Sequence, residues 1–350
     1  MGRWTPSPEI GSLRSMSTAD AKDKGVDEFD LIAQLMRPLT DGAPEALGLL
    51  DDAAVLTPPP GEDFVVSADM IVEGVHFLTS DPLDTVAQKL LRVNLSDLAA
   101  KGARPYAYFL TVAWPSRCGW SERRAFADGL RQGQDAFGLT LFGGDTVATP
   151  GPLTASATIL GRVPTGGAVL RSGAKRGDLV MVSGHIGDGW LGLQVALGRL
   201  EGLDAAASDS VSRRYRLPEP RNNLTDILRQ GAHSATDVSD GLVADAGRIA
   251  TASAMAIELN LNSIPLSPAG EAFVAGGRDR VGALLALATG GDDYELVLTS
   301  APDVADRVIA EAAKQNTPLT VIGRVVDGQG VRVFFDGAQI RVPEPGYRHF

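Results

Sequence analysis

The sequence is poor in the residues that most directly announce a chemistry. A single cysteine, Cys118, stands among 350 residues, which excludes an intramolecular disulfide and a cysteine-rich metal site and fits a reducing, cytoplasmic setting. No apolar run approaches the roughly 18 residues of a membrane span, so no membrane partner is expected. The four histidines, His76, His185, His233 and His349, show no metal-ligand spacing such as H-E-x-x-H. There is no G-x-x-x-x-G-K-S/T, which removes a P-loop kinase, and no G-x-S-x-G nucleophile elbow. Positive charge is scarce too. A net charge of −11 speaks against nucleic-acid binding, because duplex phosphates need a basic face.

What is present is the composition of a soluble globular protein, 44% hydrophobic and 21% charged, with a length that suits two domains. Met1 to about Gly25 has scattered charge and no apolar core, and reads as a flexible tail rather than a secretory signal. Pro6 stands where the myristoylation pattern wants Ser or Thr, and Met16 is an alternative start. After the tail, strand and helix patterns interleave. Strands are expected over Asp63–Ala68, Ala107–Trp114, Leu153–Val163, Asp178–Ser183, Met255–Leu261, Tyr294–Thr299, Leu319–Val325 and Val331–Phe335. Helices are expected over Asp84–Ala100, from an N-cap at Ser121 through Phe137, and over Gly189–Leu200, Pro218–Gly231, Leu242–Ser253 and Pro302–Gln315. Pro164-Thr165-Gly166-Gly167 punctuates the chain, giving an N-terminal unit over 26–165 and a C-terminal unit over 166–350. The interleaving implies layered α/β or α+β domains and does not choose between them.

Aspartates recur beside small residues: Asp51-Asp52 in GLLDDAAVL, Asp69 in SADMIVEGVHF, Asp97 in VNLSDLAAKGARP, and Asp145 in FGGDT. Asp237 and Asp240 in ATDVSDG and Asp292-Asp293 in GGDDYEL complete the set. Magnesium takes hard oxygen ligands, commonly a few carboxylates with water and substrate phosphate, and neighbouring glycines let a phosphate approach the backbone. Asp and Gly are also ordinary turn formers, and at any single one of these places that reading competes. It weakens for Asp69 and Asp97, whose surroundings are apolar. Asp97 lies four residues after Val93, near the apolar side of its helix, where an unpaired carboxylate is costly. A divalent-metal phosphate site follows from these residues, while the reaction stays open. Gly187-Asp188-Gly189-Trp190-Leu191-Gly192 satisfies G-x-G-x-x-G after a strand. The acid-tipped second strand that a dinucleotide site needs has no counterpart in the polar LEGLDAAASDSVSRRYRLPEP, so the fingerprint is read as coincidental. Arg171 to Asp178 (RSGAKRGD) is a basic knot, either a solvated loop or a phosphate contact.

Taken in order, DEFDLI, LLDDAAVL, SADMIVEGVHF, VNLSDLAAKGARP, GGDT, RSGAKRGD, ATDVSDGL, GGDDYEL and PGYRHF resemble the thiamine-monophosphate kinase family. Its superfamily includes aminoimidazole ribonucleotide synthetase and selenophosphate synthetase. The resemblance implies ATP-dependent phosphorylation of thiamine monophosphate to thiamine diphosphate, with magnesium. It implies an α+β fold of two layered α/β-sandwich domains, with a homodimer built through a barrel of the N-terminal sheets and the C-terminal domain closing the nucleotide cleft. It places magnesium at Asp52, Ser67, Asp69, Asp97, Asp145, Asp237 and Asp240, and ATP at Gly144, Asp145, Arg171 and Ser239. Asp97, Asp145 and Arg171 become the catalytic group. Thiamine monophosphate falls to His76, Asp292 and Tyr347, with the Asp292 carboxylate offsetting the thiazolium and Tyr347 offering an aromatic face. The chain departs from the usual pattern at Ala68, where Thr is common, at Leu50, where Gly is usual, and at Asp292, where Glu is common. A different ATP-dependent member of the superfamily, acting on another small substrate, and a non-catalytic nucleotide- or thiamine-phosphate-binding regulator are the rival readings.

Overall fold

The computed structural model describes residues 28–57 and 59–348. The expected tail, Asp27, residue 58, His349 and Phe350 lie outside the described residues. After a short helix, α1 (Glu28–Leu31), and irregular turns, β1 (Glu62–Val72), β2 (Arg104–Pro115), β3 (Thr140–Thr149) and β4 (Thr154–Pro164) form one sheet in the order β1-β4-β2-β3. β2 and β3 run parallel, which requires a crossover, and helix α3 (Trp120–Phe137) supplies it. Together with α2 (Leu83–Ala100), α3 covers one face of the sheet. Tyr108, Leu110, Val112 and Trp114 of β2 are buried there with Ile71, Ala157 and Ile159. Gly129 of α3 has a specific role, since a Cβ there would overlap the Asp84 backbone of α2. The opposite face stays open, with Val66, Met70 and Val147 each more than half exposed.

The second sheet has seven strands in the order β11-β10-β7-β9-β5-β8-β6. These are β5 (Leu179–Ser183), β6 (Ser234–Val238), β7 (Ala256–Asn260), β8 (Glu295–Ser300), β9 (Leu319–Val326), β10 (Gly330–Phe335) and β11 (Ala338–Ile340). Around it lie α4 (Asp188–Ala196), α5 (Ala205–Arg216), α6 (Thr225–Gly231), α7 (Leu242–Ser253), α8 (Pro268–Gly276), α9 (Arg280–Thr289) and α10 (Pro302–Lys314). The chain is therefore α+β with two sheets, as the family resemblance implies. Glu295, buried at the start of β8, accepts from Arg221, from Arg214 at 2.8 Å and from Ser183 at 2.6 Å, so its charge is matched on all sides.

Helix α2 joins the two sheets. It is buried almost all round, including Gln88, Lys89, Asn94 and Ser96, which marks a helix lying between layers. It packs on β1 and β4 on one side and on β6 and β8 on the other.

Several local expectations shift. Gly119, not Ser121, caps α3, and the Ser121 hydroxyl bonds Glu122 instead. Gly143 to Thr146 run inside β3, and β1, expected to end at Ala68, continues past Asp69 to Val72. Ser234 to Val238, outside every expected strand, form the fully buried β6. The expected helix from Pro218 starts only at Asn222, as a 3-10 turn leading into α6. Helices α8 and α9 were not expected. Ser267 at the N-cap, bonded to the Gly270 amide and followed by Pro268, is the local signal that marks α8.

Candidate functional site

Strand alternation and the all-round burial of α2 bring one set of the expected residues together. β1 turns Ser67 and Asp69 towards α2 and presents Ala68 to the open face, so the Ala68 departure lies away from this cluster. The Ser67 hydroxyl donates to the Asp97 carboxylate. The Asp69 amide donates to Asn94 Oδ1 at 2.9 Å. From the second sheet β6 brings Asp237, fully buried, and the turn after it brings Asp240.

The electrostatics are those of crowded carboxylates. Burial pushes Asp69 up to about 6, helped by the Asp97 charge, a hydrogen bond to Asp97 and the charge of Asp240. Burial raises Asp237 well above the carboxylate range, with Asp97, Asp245 and Asp69 adding to it. Among the described residues no three acidic, histidine or cysteine side chains close tightly enough to enclose an ion by themselves. The donor set is nevertheless hard oxygen, short-armed and under-compensated. That suits a magnesium ion which keeps waters and takes phosphate oxygens, rather than one held in a protein cage.

Two cations border the cluster, Arg171 through Thr236, whose side chain alternates to the face of β6 opposite Asp237, and Arg248 through Asp240. The Arg171 Nε donates to Thr236 Oγ1 at 3.1 Å, one residue before Asp237. Arg248 of α7 bonds both Asp240 and Asp245, the latter at 2.7 Å. Asp245, in the first turn of α7, reaches back to accept from the amides of Ser239, Asp240 and Gly241 at 3.0–3.1 Å. Arg171 and Arg248 also line a cavity of about 760 Å³ between α7, β10 and β11.

A second group adjoins the cluster. The turn before β8 holds Asp292 at φ +62° and Tyr294 at φ +52°. For Tyr this left-handed geometry is uncommon and strained, and it is retained because the Asp292 and Tyr294 amides bond the carbonyls of Ser239 and Val238, both at 2.8 Å. The Tyr294 hydroxyl reaches Asp292 at 3.2 Å. His76 accepts from the Val72 amide through Nδ1 at 3.1 Å, which leaves the proton of a neutral ring on Nε2. The Tyr347 amide bonds the Asp240 carbonyl at 2.9 Å while its side chain is half exposed.

The glycine fingerprint at Gly187 resolves physically. Asp293, fully buried, takes the Gly187 amide with both oxygens at 2.9 Å and the Gly189 amide at 3.1 Å. A protein carboxylate thus fills the helix N-terminus that a pyrophosphate would need. Asp293→Asn is expected to cost about 1 kcal/mol through one weakened acceptor. A melting curve measures that loss, and a nicotinamide-cofactor titration of the variant is expected to stay flat.

Asp52, Gly144 and Asp145 are not with the others. They line a separate cavity of about 680 Å³ near β3, with Trp114 and Phe142. The register passes from Asp69 through Ala157 and Leu110 to Gly144, next to Asp145. That is three strand spacings of about 4.8 Å. Asp145 pairs with Thr111, on the face away from the helices. At Gly144 a Cβ would overlap the Leu110 carbonyl oxygen, so the close strand approach here needs glycine.

Sequence reading missed Asn94, Asp245, Lys89 of α2 and Lys101 at the C-terminal cap of that helix. The Lys101 Nζ donates to the Ala235 carbonyl at 3.0 Å, and burial, then Arg171, lowers it to about 8, while Asp237 and Asp97 pull it back up. Lys89 is only 3% exposed. A lysine within an apolar helical stretch was the available signal, since lysine is almost never buried unless paired.

With the geometry in place, comparison with known proteins is informative. Residues 50–163 match the model of the AIR synthase related protein N-terminal domain, and residues 175–336 match that of its C-terminal domain. The chain is 49% identical over 322 residues to the thiamine-monophosphate kinase of Caulobacter vibrioides, covering 92% of this chain and 90% of that protein. It is 38% identical over 328 residues to the Escherichia coli K12 thiamine-monophosphate kinase, covering 92% and 98%. Among solved structures, the Stenotrophomonas maltophilia thiamine-monophosphate kinase superposes with a TM-score of 0.78 at 39% identity, over 89% of this chain and 97% of that one. The complex of AaThiL with AMPPCP and TMP gives 0.73 at 28% identity, over 93% and 98%.

Proposed function

The chain belongs to the thiamine-monophosphate kinases of the AIR synthase related family, and we propose that its carboxylate cluster at the junction of the two sheets is where the phosphoryl group moves. The enzyme uses ATP to phosphorylate thiamine monophosphate, giving thiamine diphosphate and ADP. The observation that carries this reading is 49% identity to such a kinase over 92% of the chain, combined with Asp69, Asp97 and Asp237 meeting at one place from both sheets.

The attacking group is a phosphate oxygen that is already anionic, so no general base is needed. What must be overcome is repulsion between two polyanions. Ser67, Asp69, Asp97, Asp237 and Asp240 would hold magnesium, which when bound supplies the positive charge that lets the phosphates approach. Arg171, held by Thr236 of β6, adds a fixed cation for the transferred group, and Ser239 lies on the same turn as Asp240. The thiamine end belongs to the His76, Asp292 and Tyr347 group: Nε2–H of His76 points a donor, Asp292 a carboxylate for the thiazolium, and Tyr347 an exposed ring.

The finer organisation follows in the same reading. The division between the units falls in the turn at Pro164 to Gly167, where β4 ends and the Gly167 amide bonds the Pro164 carbonyl. A homodimer forms through the open face of the first sheet, covering Val66, Met70 and Val147. The separation of Asp145 from Asp69 within one chain favours this arrangement, with Asp52, Gly144 and Asp145 serving a site shared between subunits. The cytoplasm suits the single, buried Cys118, and among the described residues no helix is long and apolar enough to cross a membrane.

Purified protein with ATP, thiamine monophosphate and magnesium is expected to release ADP and form thiamine diphosphate in equal amounts. Binding of both ligands without ADP release would instead make the protein a regulator.

A further inference from the structure

Lys89 is the least explained charge in the molecule. It lies on α2 with its side chain only 3% exposed, and a buried ammonium persists only where partners compensate it. Its partners are specific. The Nζ donates to the His76 carbonyl at 3.0 Å, stands 3.5 Å from Asp292 Oδ2 and lies 4.0 Å above the Tyr215 ring. Tyr215 is itself buried on α5, so its ring fixes the ammonium from behind by a cation–π contact. His76 follows β1 of the first sheet, and Asp292 precedes β8 of the second. Among the described residues Lys89 is where these two segments meet through a single atom.

The charge balance sharpens this. Asp292 has one oxygen facing Lys89 and the other accepting from Tyr294, while its side chain stays about a third exposed, at 32%. The carboxylate is therefore aimed by groups behind it and open on one side to a ligand. Loss of the ammonium would free Asp292 to rotate and release the His76 carbonyl together, although Lys89 itself is too buried to be a main ligand contact.

We propose that Lys89 is a positioning residue for the thiamine monophosphate site, setting His76 and Asp292 in one geometry so that substrate affinity depends on a residue outside the contacting set. This rests on the reading of His76 and Asp292 as thiamine-side residues.

The test uses the full-length protein and varies thiamine monophosphate and ATP separately for wild type, Lys89→Met, Asp292→Asn and the double variant. Lys89→Met is expected to raise KM for thiamine monophosphate by about tenfold or more, with KM for ATP within about twofold. Because Lys89 acts through Asp292, the double variant is expected to be little worse than the poorer single one. If Lys89→Met is insoluble, Lys89→Gln, which keeps a donor but no charge, must show the same selective rise. An unchanged KM for thiamine monophosphate, equal losses for both substrates, or fully multiplicative effects with Asp292→Asn would overturn the proposal. A wild-type enzyme inactive on thiamine monophosphate would overturn the functional reading itself, and is seen in the control before any variant is compared.

Discussion

Asp97→Asn is expected to lower turnover by about a hundred- to a thousandfold while leaving the metal-free protein at least as stable as the parent. The loss follows from position. Asp97 is the carboxylate to which the Ser67 hydroxyl donates and whose charge reaches both Asp69 and Asp237. Removing one preorganised group from a site that stabilises developing charge typically costs that much in rate. An amide is nearly isosteric and keeps an oxygen for Ser67, so packing of α2 against β1 and β6 is retained. The gain in stability follows from charge. Burial and neighbouring carboxylates hold Asp69 and Asp237 above their ordinary range, which means that the ionised cluster is repulsive in the absence of a cation. Neutralising one member relieves part of that repulsion. Steady-state ADP release at saturating magnesium and a melt in chelator are the two measurements. Near-normal turnover would remove Asp97 from the chemistry, and a lost activity accompanied by a lower melting temperature would mean a damaged fold instead.

The same residues show how far the sequence alone could reach. Asp97 was legible because an acid four residues after Val93 in an apolar helix has no cheap solvated position. Asp237 was visible as chemistry but not as structure. Ser234 to Val238 is too polar to look like a strand, and only the neighbouring β8 and the covering α2 make it a buried one. The glycine fingerprint was rejected for want of an acid-tipped strand, yet the physical reason lies with Asp293, over a hundred residues away in sequence. Asp52 and Asp145 belonged to one expected list with Asp69, and no local pattern could have shown that strand order separates them. Lys89 and Lys101 escaped notice for a related reason: a helical lysine looks like a solvated charge until a second sheet closes over it.

Stability without divalent metal is expected to fall as pH rises from about 4 to about 7, and magnesium is expected to restore it most at the alkaline end. Asp69 and Asp245 are each raised from 3.8 to about 6, chiefly by burial. A carboxyl whose folded value exceeds its unfolded one favours folding while protonated. Its contribution is complete below the unfolded value of 3.8 and is lost as pH passes through about 6. Asp237, also raised, extends the loss upward. For Asp69 a rise of this size is of order 2 kcal/mol after allowance for its partial exposure, or a few degrees in melting temperature for a chain of this length. A bound cation reverses the sign of the neighbouring charge and lets the same carboxylates ionise in the folded state, so the magnesium-induced rise in melting temperature should be small near pH 5 and grow steadily to pH 8. Other titrating groups act equally with and without magnesium, and the difference between the two melts isolates the cluster. Asp97→Asn should flatten that difference, since it removes a negative neighbour from Asp69 and Asp237 together. A magnesium effect of the same size at pH 5 and pH 8 would show that the ion binds elsewhere, and the assignment of Asp69, Asp97 and Asp237 to it would fall.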